Sequence, residues 1–189
     1  MSNKQRILEC ARLLFNERGT SVISTNHIAK EAGISPGNLY YHFKNKEAII
    51  LALFETMVIE WDQTKQSPES QSIPDIEQQL SKVFQTVWRY QFAHRELSPL
   101  IQTYPSLKAY CSPILRSRIE EIQQIIDVLI RQEILKAIDE STRDFLANSL
   151  LMIPLFWQAY LDVINENSSK INIEKGVNMM KLLIQPYLS

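Results

Sequence analysis

Glycine is scarce in this chain, with four residues among 189. No Gly-rich phosphate loop or nucleophile elbow can be assembled from so few. Cysteine is scarcer, and Cys10 and Cys111 stand far apart with neither in a Cys-x-x-Cys pair. Two free thiols in a reducing compartment are the expectation. The three histidines, His27, His42 and His94, show no metal-ligand spacing, so neither metal nor cofactor is expected. Long apolar runs are missing too. The stretch from Leu150 to Trp157 is far below the roughly 20 residues of a membrane span. Lys4, Arg6 and Glu9 interrupt any leader-like run at the start. A soluble, cytoplasmic, non-enzymatic protein is expected.

What is present favours helix. The apolar fraction is 45% and the charged fraction 22%, close to ordinary globular composition. No segment alternates as a strand does, and no internal repeat stands out. The apolar spacing predicts an all-α chain of about nine helices. The first covers residues 4–18 and ends at Gly19. Thr25 is placed to cap a second, short helix, which Gly33 ends. Ser35 followed by Pro36 starts a third, running to about Phe43. A fourth runs from Lys46 to about Thr64, and a loop fills Lys65 to Pro74. Further helices are expected over 75–94, 97–104, 113–138, 142–165 and 172–187, with a short piece holding Leu107 and Tyr110. Pro154 is expected to kink its helix or to split it in two.

Charge divides the chain unevenly. Residues 1–50 hold seven lysines and arginines against four glutamates, whereas the remainder is net acidic. A basic head on an acidic body suggests that only the head meets phosphate. The third helix supports this. Leu39 and Phe43, four apart, share a face that packs inward. Gly37, Asn38 and Tyr41 then point the other way, with Tyr40 and His42 on the flanks. That outward set contains no acid and suits a major groove. Pro36 and Gly37 permit close approach, Asn38 can read a base edge, and the tyrosine hydroxyls can reach phosphate. His42, Lys44 and Lys46 are further candidates for backbone contact.

The segment TNHIAKEAGISPGNLYYHFKNKEAI, residues 25–49, resembles the DNA-binding domain of the TetR family. The alanine–glycine turn, the LYYHF core and the following K-x-K-E carry the likeness. The resemblance implies a homodimer that binds a near-palindromic operator and usually represses. It places DNA contacts at Tyr40, Tyr41, His42 and Lys46, with further ones at Thr25 and Asn26. It divides the chain into a head, residues 1–46, and an effector-binding and dimerisation body, residues 47–189. It also implies a small-molecule effector, for which the body's aromatic and apolar side chains suggest a flat or lipid-like compound. Trp88, Phe92, Tyr104, Tyr110, Met152, Phe156 and Trp157 are the candidate lining, although the same stripe suits a plain core. The candidate dimer interface is Leu146, Leu150, Ile153, Leu161, Val177, Met180 and Ile184, in the last two long helices. An activator, or a head that meets a protein partner instead of DNA, is the alternative.

Overall fold

The computed structural model describes residues 2–65, 73–164 and 169–189. Among them lie ten α-helices and no strands. They are α1 (Asn3–Arg18), α2 (Thr25–Glu31), α3 (Pro36–His42), α4 (Lys46–Asp62), α5 (Ile73–Arg89), α6 (Gln91–Arg95), α7 (Leu97–Thr103), α8 (Pro105–Arg131), α9 (Glu140–Val163) and α10 (Ser169–Ile184). A 3-10 turn over Gln185–Tyr187 follows. Most of the loop expected at 65–74 lies outside the described residues, as does the expected end of α9 at Asn165.

Local chemistry sets the head. Ser2 caps α1 by accepting the Gln5 amide, and Gly19 ends it at φ +80°. Gly33 supplies the positive φ (+63°) of the turn between α2 and α3. Ser35 accepts the Asn38 amide, with Pro36 at the first helical position. The cap of α2 is Ser24, not Thr25. Its hydroxyl accepts from the His27 amide at 3.3 Å, and His27 Nδ1 accepts from the Ser24 amide at 3.2 Å. Histidine here takes the part that Glu or Gln plays in an ordinary capping box, which hid the motif.

Two expected boundaries differ, each for a visible reason. The helix expected over 75–94 breaks at Tyr90 into α5 and α6. The Arg89 carbonyl accepts from Arg12 and from Asn16, both at 2.8 Å, and the Phe92 amide donates to Asn16 Oδ1 at 3.0 Å. Side chains of α1 thus replace intrahelical bonds. In contrast, α8 continues through Pro113. Pro113 and Ala109, whose carbonyl loses its partner, are both exposed, so water can serve that carbonyl. Helix α9 is likewise one helix through Pro154, which sits on its buried side.

One apolar core crosses from head to body. Ile7, Phe15, Ile28 and Leu39 join Leu53 and Phe54 of α4 and Phe92 of α6. Phe15 and Phe54 lie 5.3 and 6.2 Å from Phe92, ring centre to ring centre. A second cluster joins Phe84 of α5 to Trp157 and Leu161 of α9 and Met180 of α10. Here α5 and α10 approach so closely that a Cβ on Gly176 would overlap the Phe84 ring. Phe84 is buried and stacked edge-on to Trp157, so it has nowhere to retreat. Gly176→Ala should therefore lower stability by about 2 kcal/mol, because overpacking outweighs the roughly 1 kcal/mol gain in helix propensity. A fall in urea midpoint at unchanged m-value would register it.

Candidate nucleic-acid interface and effector cavity

On the head, α3 buries Leu39 and Phe43 and turns Pro36, Gly37, Asn38, Tyr40 and Tyr41 outward. Tyr41 is 85% exposed, the most of any large apolar side chain described. Its ring meets that of His42 edge-on at 5.1 Å. The Tyr40 hydroxyl lies 3.0 Å from Thr25 Oγ1, which joins α3 to the start of α2 beside exposed Asn26. Lys44 is exposed in the turn that follows. These residues form one convex, acid-free surface that can meet phosphate and base edges together.

Lys46 also makes bonds within the head that the sequence does not reveal. Its ammonium donates to the Thr20 carbonyl at 2.8 Å and the Ile23 carbonyl at 3.1 Å. It thereby pins the α1–α2 loop onto the start of α4. At most one of its three donors remains for phosphate.

Sequence reasoning missed Arg95 and Glu96. Arg95 donates to the Asn16 carbonyl at 2.7 Å and lies 3.6 Å from Asp162 of α9. The Glu96 carboxylate accepts both the amide and the hydroxyl of Thr20. Body residues thus hold the last turn of α1 and the loop after it.

Within the body, α5, α8, α9 and α10 enclose a cavity of about 640 Å³. None of the seven aromatic and apolar residues expected to line it does so. Phe92 is core, Tyr104 and Tyr110 pack against that core, and Trp157 lies against Phe84 with its indole N–H on the Asn172 carbonyl at 3.0 Å. Trp88 is half-buried elsewhere, and Met152 and Phe156 face outward. The wall is instead mainly aliphatic, with Leu80, Val83, Ile122 and Leu129 among it. Four residues expected at a dimer interface, Leu146, Leu150, Met180 and Ile184, line it too. The other three, Ile153, Leu161 and Val177, pack within the Phe84–Trp157 cluster.

The outer face of α9 carries Phe145, Met152, Phe156, Tyr160 and Val163, all exposed; on α10 Met179 and Leu182 are exposed, and Leu182 also borders the cavity. The α9 positions are spaced by seven, four, four and three residues, whole turns of a helix, so they form one stripe. The α9 residues expected at a dimer interface thus face the cavity and core, whereas Met152 and Phe156, expected at the cavity, face outward.

At one end of the cavity, Arg118 pairs with Asp62 and with Glu121 (2.8 Å), and Lys65 pairs with Glu121 at 2.8 Å. Burial opposes ionisation of Asp62 and Glu121, but hydrogen bonds from Lys65 and Arg118 outweigh it and hold both carboxyls below their usual range. A second, smaller cavity of about 40 Å³ lies between α4, α6, α8 and α9 and contains His94 and Cys111 in its wall. Burial pushes the Cys111 thiol up to about 11, so it stays protonated at neutral pH.

Burial also pulls His94 down to about 4 from an ordinary 6.5, against the opposing pull of the Leu155 carbonyl. Between those two values the unfolded chain binds the proton and the folded chain does not. Stability therefore rises with pH through that window and is complete above 6.5. Lowering the pH from 8 to 5 should cost about 2 kcal/mol. Urea midpoints at the two pH values check this, and the His94→Leu variant should lose that part of the dependence.

Among the described residues, no group of His, Cys, Asp or Glu is placed to hold a metal ion. No described helix is long and apolar enough to cross a membrane.

Comparison with known proteins agrees with this anatomy. Residues 7–53 match the family described as "Bacterial regulatory proteins, tetR family", and residues 53–189 match "Bacterial transcriptional repressor" of the TetR type. A TetR-family transcriptional regulator from Marinobacter aquaeolei VT8 superposes with TM-score 0.91 at 30% identity, over 100% of this chain and 92% of that one. A TetR transcription regulator from Haloarcula marismortui shares the fold (TM-score 0.74, 14% identity, 99% and 98% covered). An HTH-type transcriptional regulator of Staphylococcus aureus (strain bovine RF122 / ET3-1) is 42% identical over 69 residues, 34% of this chain and 37% of that protein. The match thus spans little more than a third of that relative's length. Head, body and matched residues together make this chain a member of the TetR family of helix-turn-helix transcriptional regulators.

Proposed function

We propose that the protein is a homodimeric repressor. Each protomer lays α3 in the major groove of a near-palindromic operator, and an apolar effector entering the large cavity releases the DNA. The observation that carries this reading is the outward face of α3, where Asn38, Tyr40 and Tyr41 stand in solvent with no acid among them. Hydroxyl-bearing rings and an amide gathered on one acid-free face suit a partner that offers phosphates and base edges together. The proposed contacts are Thr25, Asn26, Pro36, Gly37, Asn38, Tyr40, Tyr41, His42 and Lys44, with Lys46 chiefly bracing the loop beside them. The outer faces of α9 and α10 are the proposed dimer interface. A dimer would seat its two α3 helices in half-sites about 34–36 Å apart or at a related spacing.

The lining of the cavity favours an aliphatic effector over a flat aromatic one. Control by such a ligand is a population shift: it must bind better to the body shape that holds the heads at the wrong spacing. Selection of bound duplexes from a random pool tests the reading. A palindrome should emerge, with affinity that falls steeply as salt rises. Recovery of no preferred sequence, or affinity indifferent to salt, would remove the DNA-reading role and favour a protein partner for the head.

A further inference from the structure

The two cavities lie end to end along one face of α8. Cys111, Ile114, Leu115 and Arg118 wall the small one, and Arg118, Glu121, Ile122, Ile125 and Leu129 wall the large one. Steps of three and four keep these residues on one stripe, which extends about 27 Å at 1.5 Å per residue. Trp61 and Arg118 belong to both walls, with the guanidinium 5.8 Å from the centre of the indole-bearing ring system. The division between the cavities is thus made by side chains.

The charges that border the large cavity are satisfied within the protein. Lys65 and Arg118 share Glu121 at 2.8 Å each, and Lys181 pairs with Glu77 at 2.7 Å. A charged ligand would have to displace one of these pairs, which favours an uncharged one. In the small cavity, His94 is the exception to that completeness. It is 3% exposed, and its Nδ1 lies 3.3 Å from the Leu155 carbonyl. A carbonyl only accepts, so Nδ1 carries the hydrogen and Nε2 is a bare acceptor. Nε2 is buried and has no hydrogen-bond partner among the described residues. A buried acceptor without a donor is costly, and it points to a donor from outside the chain.

We propose that the effector is a slender, uncharged molecule with an apolar body and a terminal hydroxyl, the body lying along α8 and the hydroxyl donating to His94 Nε2. This rests on reading the large cavity as the effector site. The place suits a signal. The two residues after His94 are Arg95 and Glu96, which hold Asn16 and Thr20 of the head. The small cavity is also walled by Phe54, Met57 and Val58 of α4, the helix that Lys46 fastens to the head. A hydroxyl bound there acts on both connections at once.

Calorimetry on the full-length wild-type protein tests this with 1-decanol, 1-methoxynonane and decanoate. The first two match in heavy-atom count, but only the alcohol donates a hydrogen bond. The alcohol should bind about tenfold more tightly than the ether, the worth of one buried hydrogen bond. Decanoate should bind no better than the ether. In His94→Leu the alcohol's advantage should vanish while the ether still binds. Should that variant fail to fold, nitrogen NMR of the wild type reads the same contact, since the His94 Nε2 resonance should move with the alcohol and not with the ether. Equal binding of alcohol and ether, no binding of either, tighter decanoate, or an unmoved Nε2 resonance would each overturn the proposal. A buried water that keeps Nε2 when the alcohol is bound would do the same. Operator selection by the wild type is a separate measurement, so the DNA-reading role can survive that failure.

Discussion

Phe156→Glu combined with Tyr160→Glu should leave a folded monomer that no longer holds its operator. Both side chains are about half exposed on the outer stripe of α9, so the protomer loses little by their replacement. The dimer loses much more. Five apolar side chains of α9 and two of α10 stand in solvent there, and an interface of ordinary size covers about 800 Å² per partner. A two-fold contact doubles every change, so four carboxylates would enter one apolar layer. Desolvating unpaired charges costs several kcal/mol. The dimer dissociation constant should rise at least about a thousandfold, to be read by sedimentation. Operator affinity should fall with it, because one head makes half the contacts. A variant that sediments as a dimer at wild-type affinity would place the interface elsewhere.

The orientation of α9 shows where sequence reading stops. Its residues are apolar around most of the circumference, so periodicity alone could not choose which side meets its own subunit. The packing of α5, α8 and α10 makes that choice. It turns Leu146, Leu150 and Leu161 inward and leaves Met152 and Phe156 outside. The cavities were hidden for a related reason. A void is what remains after several helices pack, and no single segment encodes it. The head was far more legible because its signals are local: Ser35-Pro36 starts α3, Gly33 turns the chain, and Leu39 with Phe43 sets the phase. Where local structure was misread, a distant or unfamiliar partner was responsible. Asn16 breaks the α5–α6 continuity from seventy-odd residues away, and His27 completes a cap that seldom uses histidine. Glu96 gave no sign in sequence that its partner was Thr20.

Tyr41→Ala should weaken operator binding about a hundredfold while leaving the thermal midpoint within a degree or so of wild type. The side chain is 85% exposed and makes no hydrogen bond within the protein among the contacts described, so its removal opens no cavity. Each protomer contributes one such tyrosine, and two losses of about 1–2 kcal/mol multiply to that factor. Tyr41→Phe separates the parts. If the hydroxyl holds phosphate, the phenylalanine variant should lose most of the affinity and some of the salt dependence. If the ring meets a thymine methyl, it should keep most of both. Lys46→Ala makes the informative contrast. That change strips a donor from the Thr20 and Ile23 carbonyls, so stability and DNA affinity should fall together. Binding unaltered by Tyr41→Ala in a properly folded dimer would mean that the exposed face of α3 does not meet the operator, and the reading of the head would have to be abandoned.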